Sequence, residues 1–305
     1  MANKNLPDQK VILVTGSSNG IGRLTVETLA RQGHTVYASM RDANGRNAAV
    51  RTELQQLTKE DNLDLYVIEL DVTDDTSVEK AVADIIKNAG RIDVLVNNAG
   101  VMNIGITEGF TLEQVQRQFD VNFYGAVRTN RAVLPHMRQR GQGLLIQISS
   151  LAGRVVLPFF GIYNASKFAV EAMSEAYRYD LSGWGIDSVI VEPGPFGTNL
   201  FETIPWPEDK QRLAEYTELA GAPESMIANF EKLNKSDDAR DPQEVADAIS
   251  ELIVTPTGQR PLRTVVGIDF GVTGLNEAAA PFQRGLLEAL EMQHMEQPVL
   301  TAKAA

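Results

Sequence analysis

The sequence contains no cysteine. That absence excludes disulfides, thiolate metal sites and a cysteine nucleophile. Histidine is scarce: His34, His136 and His294 lie far apart and match no metal-ligand spacing. No apolar run approaches the length needed to cross a bilayer, and the opening MANKNLPDQK lacks the apolar core of a secretory signal. Positive charge is in deficit: 28 Lys and Arg against 40 Asp and Glu give a formal charge of −12. Such a surface repels nucleic acid phosphates and anionic lipids, so neither nucleic acid nor membrane is an expected partner. A cytoplasmic location and no bound metal are the expectations. An acidic chain can still bind a phosphorylated cofactor, because a helix N-terminus and one local arginine suffice.

What is present is an ordinary core-forming composition, 43% hydrophobic and 22% charged over 305 residues. Apolar runs at Val11–Thr15, His34–Ser39, Asp64–Leu70, Ile92–Val96, Leu144–Ser149, Asp187–Val191 and Leu262–Val266 read as strands. Helical periodicity separates several of them, as over Ile21–Arg31 and Ser77–Ala89. Strands alternating with helices imply right-handed crossovers and an α/β fold, a doubly wound parallel sheet of Rossmann type. Its ligand crevice lies at the carboxyl ends of the strands. The expected organisation is one domain over 1–305. Within it, 8–195 is the cofactor-binding and catalytic core, 196–241 a helical substrate flap and 267–305 a C-terminal extension. Trp206, Tyr216 and Phe230 argue for order in the flap. In the extension, Pro281–Met295 has the periodicity of a surface or oligomer-contact helix.

Four motifs sit at strand ends. Gly16-Ser17-Ser18-Asn19-Gly20-Ile21-Gly22 follows the first strand and opens a helix. Such a turn lets backbone N–H groups approach a pyrophosphate. After the second strand, an acid would bind the ribose 2′-OH of NAD and an arginine the 2′-phosphate of NADP. Here Arg41 is the first charged residue, which favours NADP(H); a solvated Arg41 balanced by Asp42 is the plainer alternative. Asp71-Val72 ends the third strand, where Asp71 suits either an adenine contact or a helix cap. Asn97-Asn98-Ala99-Gly100 ends the fourth, with small residues that let a flat ligand pass, though the same residues also make ordinary turns. Finally, Tyr163 and Lys167 are four apart in YNASK and share a helix face. A fixed ammonium favours tyrosinate and would lower the phenol toward the operating range, as an alcohol–carbonyl acid/base requires. On its own that spacing is common on exposed helices.

TGSSNGIG, NNAG, an upstream serine and YNASK, in this order, resemble the short-chain dehydrogenase/reductase family in its single-domain branch. The resemblance covers about residues 8 to 200. It implies a catalytic tetrad of Asn122, Ser150, Tyr163 and Lys167. Ser150 rather than Ser149 stands at the family distance from Tyr163 and would hydrogen-bond the substrate oxygen. Asn122 would hold a water linking Lys167 to solvent. The family's cofactor contacts carry over to Gly16, Ser18, Asn19, Gly20, Ile21, Gly22, Arg41, Asp71, Val72, Asn98, Ala99, Gly100, Tyr163, Lys167, Pro193, Gly194 and Thr198. The stretch from Val36 to Asp42 resembles NADP-preferring members similar to 17β-hydroxysteroid dehydrogenases and carbonyl reductases. Asn19 departs from the basic residue many of them carry there, so the NADP(H) expectation rests on Arg41.

The function this implies is NADP(H)-dependent interconversion of a secondary alcohol and a carbonyl compound, the small-molecule partner. A cofactor-binding sensor without turnover is the rival from another class. Relatives with such a sensor role usually lose the Tyr or the Lys, and this chain keeps both. Dehalogenases on this fold lose the glycine loop, which is intact here. An epimerase or dehydratase of the larger branch is disfavoured by the NNAG form. Val155, Val156, Leu157, Phe159 and Phe160 suit an apolar pocket for a bulky substrate, or else core or interface. A homodimer or homotetramer is expected, since relatives commonly pair through the helices carrying the Asn and Tyr motifs.

Overall fold

The computed structural model describes residues 9–198, 204–236 and 239–299. Residues 1–8, 199–203, 237–238 and 300–305 lie outside the described residues. They take with them the ends of the expected domain and parts of the flap and extension ranges.

Among the described residues, seven parallel strands form one sheet in the order β3-β2-β1-β4-β5-β6-β7. They are β1 (Val11–Val14), β2 (Thr35–Met40), β3 (Leu65–Glu69), β4 (Val94–Asn97), β5 (Gly143–Ile148), β6 (Ile186–Pro193) and β7 (Arg263–Val266). The helices are α1 (Gly20–Arg31), α2 (Ala48–Glu60), α3 (Asp75–Ala89), α4 (Leu112–Phe119), α5 (Gly125–Arg140), α6 (Gly161–Asp180), α7 (Lys210–Ala214), α8 (Ala222–Leu233), α9 (Gln243–Val254) and α10 (Val272–Ala289). Every strand expected from an apolar run is present, with its ends moved by at most two residues. Before β4, the Asp93 carboxylate accepts from Val11 N and pairs with Arg91 and Arg140, while its backbone bonds to Val11 and Leu144.

Alternation along each strand splits the core in two. Ile12, Val14, Val36, Val96 and Ile146 face α1, α2 and α9. Val11, Leu13, Leu95 and Leu145 face α3 and α5, with Tyr177 of α6. Both faces are buried, which is why the strands read as nearly continuous apolar runs. The order reverses between β1 and β4, so the crevice opens at their carboxyl ends.

The flap range holds α7 and α8 among its described residues, and it docks on α4 and the segment before it. Gln114 donates to the carbonyl of Trp206 at 2.8 Å, and Tyr216 donates to Glu108 at 2.7 Å. The tail differs from expectation. Its helix begins at Val272 rather than Pro281 and stops at Ala289, with Pro281 inside it. Proline cannot bond the carbonyl one turn back. That carbonyl belongs to Glu277, which is exposed, so solvent can satisfy it.

Asp187 of β6 is fully buried and meets Arg178 at 2.7 Å and Arg260 at 3.2 Å. Arg178 also donates to the Glu296 carbonyl and to Gln297, tying the chain end to the sheet. Replacing Asp187 by alanine strands two buried guanidiniums. We expect a loss of about 3–5 kcal/mol in urea unfolding. A loss below about 1 kcal/mol, the scale of an exposed pair, would show that solvent substitutes for the carboxylate.

Candidate active site

The turn after β1 is shaped by contacts that only glycine permits. Gly16 sits at φ +68°, and a Cβ there would come within 2.8 Å of Ala99 Cα. A Cβ on Gly22 would collide with the Gly16 carbonyl oxygen. Asn98 locks the arrangement: its Nδ2 donates to the carbonyls of Thr15 at 2.9 Å and Gly16 at 3.0 Å. Asn19 precedes α1 without a side-chain cap, leaving the helix start to the cleft.

One cleft of about 800 Å³ runs along the carboxyl edge of the sheet. Every residue expected in the catalytic tetrad or at the cofactor lines it, with one exception. Asn122 sits behind the wall, in a π-helical turn at Asp120–Tyr124. Its Oδ1 accepts from Val101 N at 2.8 Å, and its Nδ2 donates to the Val101 carbonyl at 2.9 Å and Ser166 Oγ at 3.0 Å. The side chain is a strut between the β4 loop and α6 with both amide hydrogens engaged, so of its side-chain atoms only Oδ1 could still bond the expected water.

At the β2 end, Arg41 lines the cleft together with Arg46 and Asn47, which the sequence reading did not single out. Asp42 does not balance Arg41. It turns at φ +50° and accepts from Arg46 N at 2.9 Å. Glu69 takes Asp42 N and Ala43 N, and Asn47 donates to the Arg41 carbonyl. Neither Arg41 nor Arg46 forms an ion pair among the described residues. Asp71 also spends one oxygen locally, on Thr73 N and Oγ1, while Asp74 is the cap of α3.

At the other end, the first turns of α6 bring Tyr163 and Lys167 to the wall, 7% and 6% exposed. Ser150 lies at the end of β5, accepts from Ala152 N at 3.1 Å and reaches the Tyr163 phenol. Lys167 Nζ donates to the Ile148 carbonyl at 2.8 Å and lies 5.8 Å from the Tyr163 ring centre. The expected lowering of the phenol is not what this environment produces. Burial pushes Tyr163 up to about 12, and the Ser150 hydroxyl opposes that only in part. Burial brings Lys167 down to about 8, opposed by the charge of Glu171. The phenol is therefore held as an acid.

Beyond Tyr163 the cleft turns apolar. Val155, Leu157 and Phe160 line it, joined by Met102, Pro205, Phe230 and Phe270. Phe230 of α8 packs edge-on against Phe160 at 6.1 Å. Two of the five apolar residues singled out from sequence lie elsewhere: Val156 is 72% exposed, and Phe159 packs behind the wall.

Residues 10–208 match the family model described as short chain dehydrogenase. A 3-ketodihydrosphingosine reductase of Bacteroides thetaiotaomicron is 34% identical over 260 residues, covering 85% of this chain and 88% of that protein. A solved short-chain dehydrogenase from Streptomyces avermitilis superposes with a TM-score of 0.73 at 32% identity, over 93% of this chain and 97% of that one. A serine dehydrogenase solved in complex with NADP+ gives 0.68 at 27% identity, over 84% and 93%. The chain belongs to the short-chain dehydrogenase family.

Proposed function

We propose that this protein is an NADP(H)-dependent oxidoreductase that interconverts a bulky, apolar secondary alcohol and its ketone, in the manner of 17β-hydroxysteroid dehydrogenase-like and carbonyl reductase-like enzymes. One observation carries the reading. Buried Tyr163 and Lys167 and half-buried Ser150 line the same cleft as the glycine turn and Arg41 and Arg46, neither of which is ion-paired among the described residues.

The residues fit a dinucleotide. The turn from Gly16 through Gly22 would take the pyrophosphate at the start of α1. Asp71, Val72 and Asn98 to Gly100 would flank adenine and ribose. Arg41, supported by Arg46, would hold the 2′-phosphate. Pro193, Gly194 and Thr198 would border the nicotinamide, and Lys167 its ribose hydroxyls. When bound, the cofactor supplies the hydride; the protein supplies orientation and the proton. In reduction, Tyr163 gives its proton to the carbonyl oxygen while Ser150 hydrogen-bonds that oxygen as charge develops. A phenol held near 12 keeps its proton throughout the physiological range, so the acid form is the one present. The apolar wall around Phe160 and Phe230 would exclude water and seat the substrate. A relative that is named for a keto substrate and a structural neighbour that is complexed with NADP+ agree with this assignment. The exposed Tyr124 and Phe168, near Asn122 and Tyr163 in sequence, suit the expected self-association.

Tyr163→Phe should lower turnover of ketones by about a hundred- to ten-thousand-fold while leaving NADPH affinity, read by fluorescence, near that of the parent. Parent-like turnover in that variant would refute the acid role. Arg41→Asp should weaken NADPH binding by about tenfold or more and spare NADH. If the preference is unchanged, the 2′-phosphate is read elsewhere. Across a ketone panel, turnover should rise with apolar bulk; a preference for polyhydroxylated substrates would overturn the substrate assignment.

A further inference from the structure

The catalytic helix carries more charge than the reaction uses. Tyr163, Lys167, Glu171 and Glu175 recur every four residues on α6 and so form one stripe. The first two line the cleft. The second two enter a closed cluster beneath it. Glu171 is 3% exposed, and Glu192 of β6, next to Pro193 in the cleft wall, is fully buried. Arg263 of β7 lies between them. It meets Glu171 at 2.9 Å, Glu175 at 2.6 Å and Glu192 at 3.5 Å. Arg154, from the turn after Ser150, stands 3.9 Å from Glu192. Asn276 of α10 bridges them, accepting from Arg154 at 2.7 Å and donating to Glu192 at 2.6 Å. The Ser149 hydroxyl lies against Glu171, and Tyr179 donates to Glu175.

Three carboxylates thus face two guanidiniums, and the remaining cation on this stripe is Lys167. Burying an unequal set of charges is costly, and apolar residues of similar size would serve stability at least as well. Burial raises Glu171 and Glu192 alike, so the excess negative charge, one helical turn from Lys167, is complete only when both have lost their protons. We propose that Glu171 is a positioning residue for the reaction: its carboxylate, gripped by Arg263 and backed by Glu192, sets the electrostatic field in which Lys167 and Tyr163 exchange protons. Negative charge beside any acid makes its proton harder to remove. The cluster therefore keeps Lys167 an ammonium against the pull of burial, and Arg263 limits how much of that charge Lys167 feels. The proton affinities agree with such coupling. Burial, then the Glu171 charge, pushes Glu192 up to about 7, while Lys167 sits at about 8, so the groups titrate over one range.

This inference rests on the proposed contact of Lys167 with the cofactor ribose, and its test separates the two. NADPH affinity of the full-length protein is measured by fluorescence across neutral to alkaline pH. Affinity should fall as Lys167 loses its proton. Glu171→Gln removes a negative charge and should move that midpoint to lower pH, by about one unit. Glu192→Gln should move it the same way by less, and it serves where Glu171→Gln does not fold. Arg263→Gln should move it to higher pH. Opposite shifts for the carboxylate and guanidinium variants support the inference, since a packing defect has no reason to follow the sign of the charge. A parent profile with no alkaline loss, a midpoint that stays put in Glu192→Gln, or shifts all in one direction would overturn it. Failure of the parent to bind NADPH at any pH would instead remove the cofactor assignment beneath it.

Discussion

The cleft depends on the lock between the ends of β1 and β4. Thr15 Oγ1 accepts from the backbone of Asn98 and Ala99, and the Asn98 amide returns bonds to the carbonyls of Thr15 and Gly16. Gly16 then lies so close to Ala99 that no side chain fits. That contact fixes the glycine turn against the sheet at the reversal of strand order. It leaves the start of α1 directed into the crevice. Asn122 does the same work one loop later, fastening Val101 to α6 through Ser166. The wall of the cleft is thus held by side-chain amides bonded to main chain, a rigid support for a site that must align two ligands.

Rigidity has an electrostatic consequence. Burying Tyr163 and Lys167 drives their proton affinities apart, the phenol up and the ammonium down. Each shift favours the neutral form of its group. A neutral phenol is the required acid for reduction, but a neutral lysine would weaken a charge-assisted contact. Glu171 pulls the ammonium back toward its charged state, and Arg263 moderates that pull. The acidic cluster and the Tyr163–Lys167 pair are two ends of one helix face. The C-terminal helix joins them through Asn276, which also holds the turn that presents Ser150.

The apolar end of the cleft is assembled from distant parts of the chain. Met102 follows β4, Leu157 and Phe160 precede α6, Phe230 comes from α8 and Phe270 precedes α10. The pieces converge as α7 and its flanks dock on α4 and the segment before it, through bonds to Gln114 and Glu108. The shape of this end of the cleft is accordingly a property of that docking.

The sequence by itself determined the strands, the glycine turn, Arg41 and the Tyr163–Lys167 pair, because each is a local pattern. Burial of both sheet faces demands apolar runs, and helical pitch puts residues four apart on one side. It also held unread signals of the same kind, since Val245, Ile249 and Leu252 space α9 as a helix. Only the tertiary structure decided that Asn122 is a strut, that Asp42 caps its own turn instead of neutralising Arg41, that Arg46 joins the cleft and that Val156 leaves it. The Tyr163 phenol, expected to fall, rises for the same reason. Desolvation and pairing depend on what surrounds a group in space, and residues as far apart as Glu171 and Arg263 become neighbours only when α6 packs on the assembled sheet.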